Sequence, residues 1–142
     1  MKNFLKNNGF KNIEFLQNNS FIIENKIICG TRGWGISDIE QHNEKILKRE
    51  AQRLEMSIKD GIEKNNQYSN NLEIIVFMHY PPITKQNINT PFMEILKKYN
   101  IKRCYYAHLH GKSLSDAVEG KKQGIEFKLV SADKLDFKLL KI

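Results

Sequence analysis

Residues 72–78, Leu-Glu-Ile-Ile-Val-Phe-Met, form a nearly unbroken apolar run that stops at His79-Tyr80-Pro81-Pro82. Its length and β-branched content predict a strand buried on both faces, as found inside parallel sheets. A second run, residues 101–107, stops in the same way at His108-Leu109-His110-Gly111. Between them Thr90 and Pro91 open a helical segment reaching about Tyr99, with Thr90 as its cap and Pro91 at its first position. Strand, helix, strand in that order is a βαβ unit, so the two strands are expected to be parallel and close neighbours. In open α/β sheets ligands bind beyond the carboxyl ends of the strands, which is where both runs place histidine.

The rest of the chain supplies elements to build around that unit. Residues 2–8 read as a short helix stopped by Gly9. Short β-rich runs follow at 13–16, 20–23 and 26–29, the last two joined tightly through Glu24-Asn25 as a hairpin. After the loop Gly30-Thr31-Arg32-Gly33-Trp34-Gly35 comes the longest helix, with Ser37 and Glu40 as a capping box. Leu47, Ala51, Leu54, Ile58 and Ile62 recur at three- and four-residue steps and define its apolar face. The tail, residues 124–131 and 135–141, alternates like two antiparallel strands and predicts a C-terminal β-hairpin. The expected architecture is α/β, and 142 residues with 40% hydrophobic composition predict a single domain over 1–142.

Charge and cysteine content narrow the function classes. The formal net charge is +7, which raises nucleic acid as a partner. Only four of the 23 basic residues are arginine (Arg32, Arg49, Arg53, Arg103), and they do not cluster, so nucleic-acid binding is not expected. Cys29 and Cys104 lie far apart without a C-x-x-C pair, which predicts two reduced core thiols. The chain shows neither a signal-peptide pattern nor an apolar stretch long enough for a membrane, so a cytoplasmic protein without membrane partners is expected.

Neutral imidazole binds Zn, Fe and Ni and, with carboxylates, Mn, and residues at i and i+2 of an extended chain face one side. His79, His108 and His110 are therefore the candidate metal ligands, with His108 and His110 facing one cavity. The alternative for the same residues is a hydrogen-bonded core histidine at 79 and two exposed loop histidines. Arg32 is the candidate phosphate contact, because a guanidinium makes bidentate bonds to phosphate oxygens; its alternative is a surface arginine beside a packing Trp34. No other catalytic residue is assigned. His42 reads as solvent-facing, and Asp133 and Asp136 as turn and surface residues.

His-Tyr-Pro-Pro at one strand end and Tyr-Ala-His-Leu-His-Gly at the next resemble the last two motifs of the calcineurin-like metallophosphoesterases. Cys-Gly-Thr-Arg-Gly-Trp at 29–34, Glu-Lys-Ile-Leu-Lys-Arg-Glu at 44–50 and Val-Ser-Ala-Asp-Lys-Leu-Asp-Phe at 130–137 are similar to one bacterial branch of these predicted phosphohydrolases. The resemblance covers almost the whole chain. It implies part of a four-layer α/β/β/α sandwich, phosphate-ester hydrolysis by metal-activated water, and two divalent ions drawn from Mn, Fe, Ni or Zn. It places His79 and His108 on one ion and His110 on the other.

The D-x-H, G-D-x-x-D and G-N-H motifs of that family do not occur in this sequence. The resemblance thus implies the C-terminal portion of such a domain, with an incomplete site. The alternative is a non-catalytic fragment or interaction module that needs a partner half, or associates with itself, through an uncovered strand edge. Ala107 stands where the family has glycine before its H-x-H pair. A positive φ there would cost alanine ~1 kcal/mol.

Overall fold

The β-rich runs pair into one six-stranded mixed sheet, in a computed structural model that describes residues 2–35, 41–67 and 71–142. The elements in order are α1 (Lys2–Asn7), β1 (Phe21–Ile23), β2 (Lys26–Thr31), α2 (Gln41–Gln67), β3 (Glu73–Met78), α3 (Pro91–Lys98) and β4 (Arg103–Tyr106). A 3-10 helix (Gly111–Asp116), β5 (Gly120–Lys122) and β6 (Ile125–Leu129) complete the chain. The sheet order is β1-β2-β3-β4-β6-β5. Parallel pairing joins β2 to β3, β3 to β4 and β4 to β6, while the two edge hairpins, β1-β2 and β5-β6, are antiparallel. The expected βαβ unit is β3-α3-β4, and β2-α2-β3 is a second one. The Ser37–Glu40 capping pair lies outside the described residues, as does the side chain of His42.

Period-two alternation and the parallel register set one face of the sheet. Cys29, Val76, Cys104 and Phe127 form one row across four strands, and Thr31, Met78, Tyr106 and Leu129 form the next. Leu47, Ala51, Leu54 and Ile58 of α2 and Phe92, Met93 and Leu96 of α3 belong to the same core, and Ile62 packs against it partly buried. Each such side chain, once buried, contributes about 1.5–3 kcal/mol. Gly61 lets α2 lie close to β2: a Cβ there would stand 2.7 Å from Cys29 Sγ and 2.9 Å from Ile27 Cγ2. Cys29 and Cys104 both pair with Val76, so they sit two strand spacings apart, about 9–10 Å, beyond disulfide reach. Both thiols are free and buried, and burial pushes Cys29 up to about 12.

The opposite face is less covered. Ile75 and Tyr105 are buried there, but Ile28 and Phe77 are half-buried, and Phe77 stacks on Tyr105 with ring centroids 5.1 Å apart. Ile23, Ile28, Phe77 and Ile142 line a shallow cavity of about 340 Å³ on this side. The strand expected to be buried on both faces buries Val76 and Met78 toward the helices and Ile75 on the other side, while Ile74 and Phe77 are half-buried.

Two expected strands do not form. Residues 13–16 run irregularly and do not join the sheet; Leu16 lies over Gly30 instead. Residues 135–141 form no strand either, since β6 is already paired with β4 on one side and β5 on the other. The C-terminal hairpin exists, but it is β5-β6. The tail makes tight turns in its place, with Asp136 and Phe137 at positive φ and Leu139 fully exposed. Among the described residues no helix is long and apolar enough to cross a membrane.

A polar brace ties the two helices of this layer. Glu55 of α2 accepts hydrogen bonds from Lys98 Nζ at 2.8 Å and Tyr99 Oη at 2.7 Å. Lys98 first and Tyr99 second hold the Glu55 carboxyl down to about 2, against an ordinary value of 4.5. Because the folded value is depressed, the stabilisation is complete above pH 4.5 and disappears as the pH falls through about 2. Glu55→Gln should therefore melt below the wild type at pH 7, with the gap closing as both are titrated toward pH 2. Melting curves with a gap independent of pH would contradict this role.

Candidate metal centre

Four parallel strands deliver their C-terminal ends to one edge of the sheet, because Thr31, Met78, Tyr106 and Leu129 share a register row. Backbone hydrogen bonds carry the pairing one step further. Tyr80 N donates to Arg32 O at 2.9 Å, Ala107 N to His79 O at 3.2 Å and Val130 N to Tyr106 O at 2.7 Å. Thr90 fixes the loop after His79 from below. Its Oγ1 accepts from Met93 N as the cap of α3 and donates to the carbonyl of Pro82 at 2.7 Å. At the end of β2, Thr31 Oγ1 donates to the buried Glu50, which also accepts from Arg53 Nη1 at 2.7 Å.

His79 and His108 meet at this edge. His108 Nδ1 stands 3.1 Å from His79 Nε2, with ring centroids 4.9 Å apart and planes at 74°. Tyr80 covers His108 at a ring separation of 4.1 Å and meets His79 edge-on. Partial burial of the ring, then the charges of His108, Arg32 and His110, hold the His79 imidazole below its ordinary value. A neutral ring keeps a lone pair to give.

That pairing depends on an unusual backbone. With Met78 opposite Tyr106, a fully extended chain would place His79 opposite Ala107 and turn His108 to the other face. His108 instead has φ +69° and sits at the centre of a three-residue turn closed by Leu109 N to Ala107 O at 2.8 Å. Such turns at a residue with a side chain are rare and strained. The positive φ anticipated at Ala107 thus falls one residue later, on the histidine itself.

The same turn separates His108 from His110. His110 Nδ1 lies 2.8 Å from Asp133 Oδ1, and Gly111 N donates to Asp133 Oδ2 at 2.8 Å. The Gly111 amide, and after it the His110 ring, keep the Asp133 carboxyl below the usual carboxylate range. His108 and His110 are not alternate positions of an extended strand, because the chain reverses at His108 between them. Among the described residues no three His, Cys, Asp or Glu side chains stand together as one ion-binding group.

Arg32 lies exposed beside the pair, its Cζ 5.2 Å from the Trp34 ring and 5.6 Å from the Tyr80 ring. Tyr80 thereby links Arg32 to His108. Asp136, which pairs with Lys138, is a turn residue as expected.

At 3.1 Å the two ring nitrogens are at hydrogen-bond distance, one donating and the other accepting, and no third His, Cys, Asp or Glu donor joins them among the described residues; an ion held there would replace that shared proton. Metal–nitrogen bonds of about 2.0–2.1 Å at angles of 90–109° separate two donors by about 2.9–3.4 Å, and the observed separation falls within that span. These residues alone do not fit a two-ion centre, because no carboxylate bridges the pair among the described residues. Sequence reasoning missed Tyr80 and Asp133. Asp133 follows β6, and reading β6 as the fourth parallel strand would have placed its loop at this edge.

No protein family, curated protein or solved structure matches the chain.

Strain at His108 has a measurable signature. At positive φ, His108→Gly should be more stable toward denaturant than His108→Ala by about 1–2 kcal/mol, although both remove the imidazole. Equal midpoints and slopes for the two variants would contradict the strained turn.

Proposed function

We propose that the strand-end histidines form part of a metal-dependent phosphoesterase site, which cleaves phosphate esters by attack of an activated water. The observation that carries this reading is the His79–His108 pair, two imidazoles at metal-ligand separation at the carboxyl edge of a parallel sheet. The resemblance of His-Tyr-Pro-Pro and Tyr-Ala-His-Leu-His-Gly to the metallophosphoesterase motifs supplies the reaction class. A Mn, Fe, Ni or Zn ion held there by His79 and His108 would supply charge to neutralise a phosphoryl oxygen and would lower the pKa of water.

The chain's own residues divide the remaining work. His79 stays neutral at physiological pH and offers Nε2. The Tyr80 ring packs on His108 and limits its movement. Arg32, whose Cζ lies 5.2 Å from the Trp34 ring and 5.6 Å from the Tyr80 ring, would bind two phosphate oxygens through its planar guanidinium edge. Two ions would also need carboxylate ligands, and none joins the histidine pair among the described residues.

The test is metal binding and turnover in the same preparation. Titration with Mn or Zn should show one ion per chain, weakened more than ~10-fold in His79→Ala and in His108→Ala. Metal-dependent hydrolysis of p-nitrophenyl phosphate should disappear in both variants. Absence of turnover with all four metals would contradict the hydrolase reading.

A second reading rests on the open face of the sheet. Ile23, Ile28 and Phe77 leave apolar surface opposite the helices, and among the described residues β1 and β5 are the edge strands of the sheet. An interaction module that uses this side, with a second copy or a partner half, predicts self-association at micromolar concentration that Ile28→Lys abolishes. Sedimentation velocity showing a monomer throughout that range would contradict it.

A further inference from the structure

We propose that Asp133 is the positioning residue of the His79–His108 pair: by clamping the His110–Gly111 peptide it holds the turn at His108 closed. The inference rests on the reading of that pair as the site, but it is tested on the metal-free chain.

The turn at His108 has to be held on both sides. A three-residue turn with a side-chain-bearing residue at its centre persists only where its surroundings over-determine it. On the near side the sheet does this, because Ala107 N donates to His79 O at 3.2 Å just beyond the β3–β4 ladder. On the far side stands Leu109, whose amide closes the turn onto Ala107 O at 2.8 Å and whose side chain packs partly buried against the core. His110 and Gly111 follow, and Asp133 holds both. Its Oδ2 accepts Gly111 N at 2.8 Å, and its Oδ1 lies 2.8 Å from His110 Nδ1. Two contacts on successive residues fix the direction of the chain as well as its position.

Asp133 is held in its turn by the segment after β6. Val130 N donates to Tyr106 O at 2.7 Å, so β6 and β4 leave the sheet together. The carbonyls of Ser131, Ala132 and Asp133 then accept the amides of Leu135, Phe137 and Asp136 at 3.1, 2.8 and 3.2 Å. Lys134 N donates to Asp133 Oδ1 at 3.0 Å, while the Lys134 ammonium pairs with Glu119 at 2.9 Å. The Val-Ser-Ala-Asp-Lys-Leu-Asp-Phe segment is thus a folded turn that carries one carboxylate to the loop after β4. Hydrogen bonds from backbone N–H to an ionised carboxylate are stronger than those to a neutral acceptor, which suits this residue type for opposing backbone strain. Released, the chain would return to extended alternation and carry the His108 imidazole to the other face, away from His79.

The experiment combines amide hydrogen exchange with ring 15N NMR on the metal-free wild type and Asp133→Ala, the amides of β3 and β4 reporting whether the sheet is intact. In the wild type the Leu109 amide should be protected, and a 15N–15N coupling should pass through the hydrogen bond between His108 Nδ1 and His79 Nε2. In Asp133→Ala the Leu109 amide should exchange at least ~10-fold faster and the coupling should vanish, while β3 and β4 keep their protection. Unchanged protection at Leu109 in the variant overturns the proposal, and so does a coupling that survives once Leu109 has loosened. A merely structural Asp133 would give that unchanged protection together with a lower melting temperature. A wild-type Leu109 amide exchanging as fast as in an unstructured chain overturns the proposal without any variant having to fold. Added Zn(II) separates the clamp from the reading it rests on: His79 and His108 resonances unmoved by Zn(II) contradict the metal site, whereas the Leu109 result still decides the role of Asp133.

Discussion

Everything at the candidate site depends on the parallel ladder between β3 and β4. Its register puts Val76 beside Cys104 and Met78 beside Tyr106, burying all four toward the helices. The ladder closes with Ala107 N donating to His79 O, so both chains leave the sheet at the same level. Continued straight, they would send the two imidazoles to opposite faces. The turn at His108 reverses that alternation locally and brings the rings to 3.1 Å. A strained residue held by a fully paired sheet on one side and an aromatic ring on the other is an arrangement found where geometry serves a ligand.

The helix-covered face explains why that strain persists. Thr90 fastens the start of α3 to the Pro82 carbonyl, and α3 is braced to α2 through Glu55. Glu50 does the same for the end of β2, where Thr31 precedes Arg32. Each loop that contributes to the site is thus tied to an element of the core within a few residues. On the other face Leu16 lies over Gly30, and Ile28 and Phe77 are half-buried.

Much of this was legible in the sequence where local chemistry decides. The apolar run before His79, Thr90-Pro91 at a helix start and the heptad-like spacing from Leu47 to Ile58 each specify one element and one buried side. What failed were segments whose fate depends on which sheet edges are free. Residues 13–16 and 135–141 have strand-like composition, yet β2 and β6 take their hairpin partners β1 and β5 instead, and neither segment joins the sheet. The site was legible as three histidines at strand ends, but the turn at His108 and the Asp133 contact of His110 were not. Periodicity assumes an extended chain, and nothing in Ala-His-Leu-His announces that His108 takes a positive φ. Asp133 was hidden for the same reason as the tail, because its place follows from β6 lying parallel to β4.

The central claim is that His79 and His108 together hold one divalent ion. Zinc K-edge X-ray absorption on the chain loaded with one equivalent of Zn(II) tests it most directly. The account predicts the outer-shell scattering of imidazole rings around the ion, reduced in His79→Ala and again when His108→Ala is added. A shell of oxygen donors alone, unchanged by either substitution, would contradict it.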